Sequence, residues 1–129
     1  MGIHHVGQLL DADFDESVVF YRDLGLDRGE TTGGPVRVAF FETDSAEFHL
    51  IGREERGSAA DPLLDAVARY DAAHVAFAVD DLAATMVDAE RAGLPFLGVP
   101  PEDGLGPYRR AFVAPAGHVG ISFEFVETR

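Results

Sequence analysis

The sequence predicts an α+β fold made of two βαβββ modules, which form a cupped mixed sheet around a shared cavity. The first observation behind this prediction is an internal repeat: HVGQLLDADFDESVVFYRDLGL at 5–26 aligns with HVAFAVDDLAATMVDAERAGL at 74–94. Each copy starts with His-Val in a strand-like run, continues as an amphipathic helix and stops at Gly-Leu. The second observation is that further apolar strands follow each helix. The third is the length of 129 residues, which is enough for one hydrophobic core without disulfides.

The first module is predicted to span residues 1–52. Its opening strand, HHVGQLL, leads to an Asp-rich turn in which Asp13 or Asp15 is placed to cap the first helix. Gly25 follows as the C-terminal cap of that helix. The runs PVRVAFFET and EFHLIG then supply the closing strands of the module.

The second module is predicted to span residues 73–129 and to repeat this order. Asp80 or Asp81 is placed to cap its helix, and Gly93 to end it. The runs YRRAFVAP and GISFEFVE supply its closing strands.

A linker at 53–72 joins the modules, so that residues 1–129 make one domain. It consists of a polar turn and a short predicted helix, PLLDAVARYD, with Pro62 in the first turn. Because such a linker allows the modules to pair within one chain or between two chains, a homodimer is compatible with the sequence.

Composition excludes several classes of protein. There is no cysteine, so disulfides, a thiolate nucleophile and a zinc finger are excluded. The net charge of −13 argues against nucleic acid and anionic membranes as partners. No apolar run approaches membrane-spanning length, and the first residues contain no basic leader. We therefore expect a soluble, cytoplasmic protein.

Four polar residues occupy matching points of the two modules. His5 and His74 open the equivalent first strands, and His49 and Glu124 lie in equivalent closing strands, each between a Phe and an apolar pair. For any one histidine alone, a hydrogen-bonded core residue is the favoured interpretation. Four polar residues at symmetric positions instead predict a site for Zn²⁺, Fe²⁺, Co²⁺, Ni²⁺ or Mn²⁺.

Two further histidines are kept apart from this set. Strand alternation predicts that the side chain of His4 points to the face opposite that of His5. His118 follows a predicted turn at PAG. Both are expected to be surface groups or supports for ligands, not ligands themselves.

The two-module pattern resembles the vicinal oxygen chelate superfamily (glyoxalases, bleomycin resistance proteins and extradiol dioxygenases) over nearly the whole chain. HHVGQLL and AAHVAFAVDDLAA are similar to the two strands that open with a ligand in methylmalonyl-CoA epimerases. VRVAFFETDSAEFHLIG and RRAFVAPAGHVGISFEFVE are similar to the closing strands of that branch. The resemblance implies one divalent metal ion (Co, Ni, Mn, Zn or Fe) held by His5, His49, His74 and Glu124.

The chain departs from the epimerase branch at three points. His49 stands where epimerases usually carry Gln or Glu, which makes a site of three His and one Glu. The chain has APAG where the branch typically has a Lys after the Pro. The strand VRVAFF has Arg37 and no acid, whereas epimerases can use a second glutamate on the matching strand. With three neutral imidazoles and one carboxylate, a divalent site keeps a formal charge of about +1, which favours an anionic chelating substrate.

The resemblance implies a divalent-metal-dependent isomerase or lyase acting on a small oxygen-chelating acid or acyl thioester. The leading reaction is proton transfer like that of methylmalonyl-CoA epimerase, in which the metal stabilises an enolate. Glu124 is the first candidate for the base that removes the α-proton. Glu47 is the second, because it shares a strand face with His49 and is placed to reach the cavity or to support a ligand.

The segment PPEDGLGPYRR at 100–110 is predicted to be the entrance loop, because its Gly and Pro content favours turns. Arg109 and Arg110 alternate faces, so at most one points inward to clamp a carboxylate or phosphate. Tyr108 is a candidate proton donor. These three residues are the candidate substrate-binding set, and a structural role on an acidic surface is the alternative for both arginines.

The resemblance also allows other functions of the same fold. They are extradiol ring cleavage with Fe²⁺, thiol-dependent transfer, and ligand sequestration by a metal-free resistance protein. Metal analysis separates them: iron with oxygen-dependent turnover indicates a dioxygenase, and Co, Ni, Mn or Zn indicates an isomerase. The absence of metal would indicate a binding protein.

Overall fold

The structure is a computed structural model, and it describes residues 1–10, 13–26, 29–69, 73–94, 96, 109–113 and 122–127. Within these residues seven strands form one mixed sheet, and three helices pack against it. The strands are β1 (Gly2–Leu9), β2 (Gly29–Thr31), β3 (Val36–Glu42), β4 (Glu47–Arg53), β5 (Ala73–Val79), β6 (Arg109–Val113) and β7 (Ser122–Glu127). The helices are α1 (Phe14–Asp23), α2 (Asp61–Ala68) and α3 (Leu82–Arg91).

The order of strands in the sheet reflects the internal repeat. It runs β2-β3-β4-β1-β5-β7-β6, with β1 parallel to β4 and β5 parallel to β7. The two halves meet where β1 pairs antiparallel with β5. Phe96 forms a bridge with Val113 of β6, much as β2 pairs with β3 in the first half. The predicted α+β class with a mixed sheet is confirmed, and the module limits stay a prediction.

The limits of α1 and α3 are set by capping residues that can be identified in the sequence. Asp13 and Asp81 each accept a hydrogen bond from the backbone N–H three residues later, at 2.9 and 3.0 Å. Gly25 and Gly93 follow α1 and α3 with φ of +113° and +80°, which a residue with a side chain rarely adopts. Pro62 lies in the first turn of α2, as predicted. None of the described helices is long and apolar enough to cross a membrane.

Strand alternation divides the core between the two faces of the sheet. Helices α1 and α3 cover one face, where α1 packs on Phe41 and Leu50 and α3 on Val113 and Phe125. Helix α2 covers part of the other face through contacts with the following residues: Leu9, Ile51 and Phe112. The predicted polar cluster lies on this second face, because His5 is four residues from Leu9 in β1 and His49 is two residues from Ile51 in β4, so that each pair shares a strand face.

Candidate metal centre

Three of the four predicted ligands meet in the middle of the sheet. Their strands β1, β5 and β7 are neighbours, and Ala76 of β5 pairs with both His5 and Glu124. Glu124 Oε1 lies 2.8 Å from His5 Nε2 and 3.1 Å from His74 Nε2. The two imidazole nitrogens are 3.2 Å apart. The three donor atoms therefore form a nearly equilateral triangle.

The triangle is buried almost completely. The exposed fractions are 1% for His5, 3% for His74 and 0% for Glu124. Burial lowers the pKa of His5, an effect that the nearby Glu124 carboxylate only partly offsets. Burial alone would raise the pKa of Glu124, but its contacts with His5 and His74, together with the charge of Arg110, outweigh burial and hold that pKa below its usual range. At neutral pH the cluster is thus a carboxylate facing a neutral His5, which is the protonation state that a metal ligand requires.

The donor geometry fits a divalent transition metal. Ligands at about 2.1 Å from an ion are about 3.0 Å apart when they occupy adjacent octahedral positions, and the three observed separations lie between 2.8 and 3.2 Å. Within the described part of the chain, neither oxygen of Glu124 has a hydrogen-bond partner of acceptable geometry, although both atoms are buried. Buried polar atoms of this kind are costly unless a partner completes them. These residues therefore fit a divalent metal ion as that partner.

His49, the fourth predicted ligand, lies beside this group but is not a member of it. Its ring stacks on the ring of His5 with 3.9 Å between centroids, and its Nε2 lies 2.7 Å from Glu47 Oε1. Burial is the largest cause that lowers the pKa of His49, to about 4, and the Glu47 carboxylate opposes the shift. The structure thus brings the Glu47 carboxylate into contact with His49.

His4 lies on the same side of the sheet as His5, contrary to the prediction from strand alternation. Its Nδ1 is 2.8 Å from His5 Nδ1, and its ring is 6.3 Å from that of His49. The cause is an irregularity in the pairing of β1 with β5: Phe77 and Ala76 are adjacent in β5, but their partners Ile3 and His5 are separated by one extra residue, His4. Such a bulge re-aims a side chain. His4 is therefore a hydrogen-bond partner of a predicted ligand, one of the two roles expected for it.

The two arginines separate as strand alternation predicts. Arg110 is 7% exposed, lines the cavity beside the histidines and has Nη1 3.6 Å from Glu124 Oε2. Arg109 lies on the other face, 3.8 Å from Glu127. Tyr108, His118 and nearly all of the predicted entrance loop lie outside the described residues.

Sequence reasoning missed the residues that shape the cavity. Phe40 meets the ring of His49 edge to face at 4.7 Å, and Phe112 meets that of His74 at 4.9 Å. An apolar residue on a strand carries no sequence signal that distinguishes packing on a ligand from packing on another apolar residue. Val38 and Ile51 complete the apolar wall of the cavity.

Comparisons with known proteins agree with this architecture. The chain superposes on a variant of Streptomyces coelicolor methylmalonyl-CoA epimerase in complex with 2-nitronate-propionyl-CoA, with a TM-score of 0.74, 25% identity, and coverage of 100% of this chain and 99% of that one. Methylmalonyl-CoA epimerase from Mycobacterium tuberculosis gives 0.72, 22% identity, and coverage of 99% and 88%. A hypothetical protein from Bacillus halodurans gives 0.72, 19% identity, and coverage of 98% and 94%.

The likeness in sequence is recognised at the level of the family. No curated protein matches the chain. The family model for the Glyoxalase/Bleomycin resistance protein/Dioxygenase superfamily matches residues 2–125. The chain belongs to this superfamily.

Proposed function

We propose that this protein is a divalent-metal-dependent isomerase or lyase that acts on a small oxygen-chelating acid or acyl thioester. The leading reaction is proton transfer like that of methylmalonyl-CoA epimerase. The observation that carries the proposal is the buried triangle of His5, His74 and Glu124, in which neither carboxylate oxygen has a hydrogen-bond partner among the described residues. Similarity to the epimerase from S. coelicolor at 25% identity over the whole chain supports the choice of reaction.

Four residues would hold the metal ion. His5, His74 and Glu124 are already grouped, and His49 is the proposed fourth ligand because its ring lies in the same cavity, stacked on His5. When bound, the ion supplies a Lewis acid that stabilises negative charge developing on two neighbouring oxygens of the substrate. For Nε2 of His49 to become a ligand, its contact with Glu47 has to give way.

Proton transfer requires a carboxylate beside the α-carbon of the substrate. The base takes the α-proton, and the electron pair of the C–H bond stays on the substrate, which delocalises it onto the chelating oxygens. Return of a proton to the opposite side of the carbon, from a second acid or from water, completes an epimerisation. Glu124 is the proposed base, and Glu47 is the second candidate because it is 40% exposed in its side chain and contacts His49.

Arg110 is the proposed anchor for a substrate anion. It is the cavity-lining arginine of the described residues, and its guanidinium lies within 3.6 Å of a Glu124 oxygen. Its positive charge adds to that of a bound divalent ion, so the cavity would attract a carboxylate or a thioester oxygen. Arg109, on the other face, and Tyr108 are secondary candidates.

Solvent deuterium exchange tests the reaction class. Protein loaded with Co²⁺, Ni²⁺, Mn²⁺ or Zn²⁺ is incubated in D₂O with methylmalonyl-CoA and with simpler 2-substituted malonyl and 2-keto acids, and incorporation at the α-carbon is followed by NMR or mass spectrometry. Wild type is expected to exchange at least one of these substrates. Glu124→Gln is expected to bind metal more weakly and, when refilled at high metal concentration, to exchange none, because an amide does not accept the proton.

Matched variants identify the base. Glu47→Gln tests the second candidate, and Glu42→Gln is its control, because Glu42 pairs with Glu47 across the β3–β4 ladder and is exposed. Loss of exchange in Glu47→Gln together with full exchange in refilled Glu124→Gln would show that Glu47, and not Glu124, is the base. Absence of exchange in wild type with every metal and substrate would refute the isomerase.

One observation favours a second function, extradiol ring cleavage with Fe²⁺. Without His49, the group is two histidines and one carboxylate on one triangular face, which is the ligand set of non-haem iron oxygenases with open positions. His49 would then stay paired with Glu47. Oxygen consumption by Fe²⁺-loaded protein with a catechol, and no α-proton exchange, would establish this function in place of the isomerase.

Substitution of His49 separates the two ligand sets. If His49 is a ligand, His49→Ala should remove most of the affinity for Co²⁺, while His49→Gln retains part of it through the amide oxygen. Unchanged affinity in His49→Ala would establish the three-residue site. Calorimetric titration of apo protein measures both variants.

A further inference from the structure

Gly7 lies in the middle of the sheet between two of the histidine-bearing strands. Its cross-strand partner on β4 is His49, and its partner on β5 is His74. It is buried and has ordinary extended backbone, so the conformational freedom of glycine does not explain its presence. A glycine inside a strand weakens the strand and often marks a close approach of another group.

The close approach is made by the imidazole of His74. A Cβ added at Gly7 would lie 2.3 Å from Cε1 and 2.6 Å from Nε2 of that ring. Separations below 3.0 Å do not occur for real Cβ atoms, so the ring occupies the space that any side chain at position 7 would need. The atom closest to the intruding carbon after Cε1 is Nε2, the same atom that faces His5 and Glu124.

We infer that Gly7 is a positioning residue for the metal centre: the missing Cβ lets the His74 ring lean from β5 over β1 until Nε2 reaches the triangle. A methyl group at position 7 would push the ring away from His5 and Glu124. The ring has little freedom to retreat without losing the triangle, because Phe112 packs against it. The functional consequence of this inference rests on the proposed metal function, whereas its structural part does not.

Gly7→Ala tests the inference, and Gly2→Ala is the control. Gly2 belongs to the same strand and has nothing within 4 Å of an added Cβ. Apo protein is examined by long-range ¹H–¹⁵N NMR of the imidazoles, with His74→Ala used to assign the ring signals. The His74 signals are expected to move in Gly7→Ala and to stay in place in Gly2→Ala. Unmoved His74 signals in Gly7→Ala would overturn the inference.

Metal affinity then tests the functional consequence. Gly7→Ala should weaken Co²⁺ binding by about 10- to 100-fold or more, in the range found when the support of a ligand is removed, and Gly2→Ala should not change it. Equal affinity in both variants would overturn the positioning role. If wild type binds no metal at all, the proposed function fails, while the imidazole spectra still decide whether Gly7 positions His74.

A double variant keeps the inference testable if Gly7→Ala alone does not fold. When His74→Ala has removed the ring, the methyl group at position 7 has space, so the double variant Gly7→Ala/His74→Ala should fold and melt at or above the temperature of His74→Ala. If the double variant is also unfolded, another contact is responsible and the inference is refuted.

Discussion

Acid should destabilise the metal-free protein through His49, and the size of the effect follows from its environment. The imidazole is 5% exposed, and burial is the main cause that lowers its pKa from 6.5 to about 4. Between these two values the unfolded chain binds a proton at His49 and the folded chain does not. The free energy of unfolding therefore decreases as the pH falls through 6.5, and this loss of stability is complete only below pH 4.

The magnitude is set by the difference between the two pKa values. A shift of this size corresponds to roughly 3 kcal/mol at the acid limit and to about 2 kcal/mol at pH 5 relative to pH 8. His5 adds a contribution of the same sign, because burial lowers its pKa as well. The contribution of His49 to the loss of stability is obtained by comparison with His49→Gln, whose amide does not titrate.

The assay is urea unfolding of apo wild type and apo His49→Gln at pH 8 and pH 5. Wild type is expected to lose about 2 kcal/mol more of its free energy of unfolding than the variant does. Glu47→Gln should lose more stability between pH 8 and pH 5 than wild type does, since the Glu47 carboxylate opposes the lowering of the His49 pKa. Glu42→Gln should leave it unchanged. Equal losses in wild type and His49→Gln would refute the argument that a buried neutral His49 controls acid stability.

Two further predictions concern the neighbours of the ligands. His4→Ala should weaken Co²⁺ binding about 10- to 100-fold in a calorimetric titration, because His5 Nδ1 loses the partner that orients its ring, and His4→Asn should recover part of the affinity. If His4→Ala binds Co²⁺ as wild type does, the contact at 2.8 Å has no orienting role. Arg110→Met should raise KM for an anionic substrate about 10- to 100-fold, as expected for a hydrogen bond to a charged group, whereas Arg109→Met should change KM less than about twofold. A similar KM for both arginine variants would contradict the assignment of Arg110 as the anchor.

Much of the fold was predictable because its signals are local. The repeat of a strand, a capped helix and further strands appears in the order of the elements. Asp13 and Asp81, each one of two predicted candidates, cap the starts of α1 and α3, and Gly25 and Gly93 follow the ends of these helices as predicted. Capping depends on residues within one turn of the helix end, so neighbours in sequence are sufficient to identify it.

Membership of the candidate metal centre was also predictable for three residues. The match between the two halves predicts that His5, His74 and Glu124 belong to one site. The burial of these three side chains and the contacts of 2.8 to 3.2 Å between them agree with that placement. Symmetry between the halves supplied the long-range information that a single strand does not contain.

The tertiary structure alone decided how the side chains around this group are arranged. Alternation failed at His4 because a bulge against β5 turns its ring toward His5. His49 lies on the same sheet face as the group, yet its ring stacks on that of His5 and its Nε2 contacts the Glu47 carboxylate. The absence of a side chain at Gly7 leaves space for the imidazole of His74, which comes from another strand. In each case the direction of a side chain depends on atoms of a neighbouring strand that is distant in sequence, whereas the periodicity of one strand determines only the face on which the residue lies.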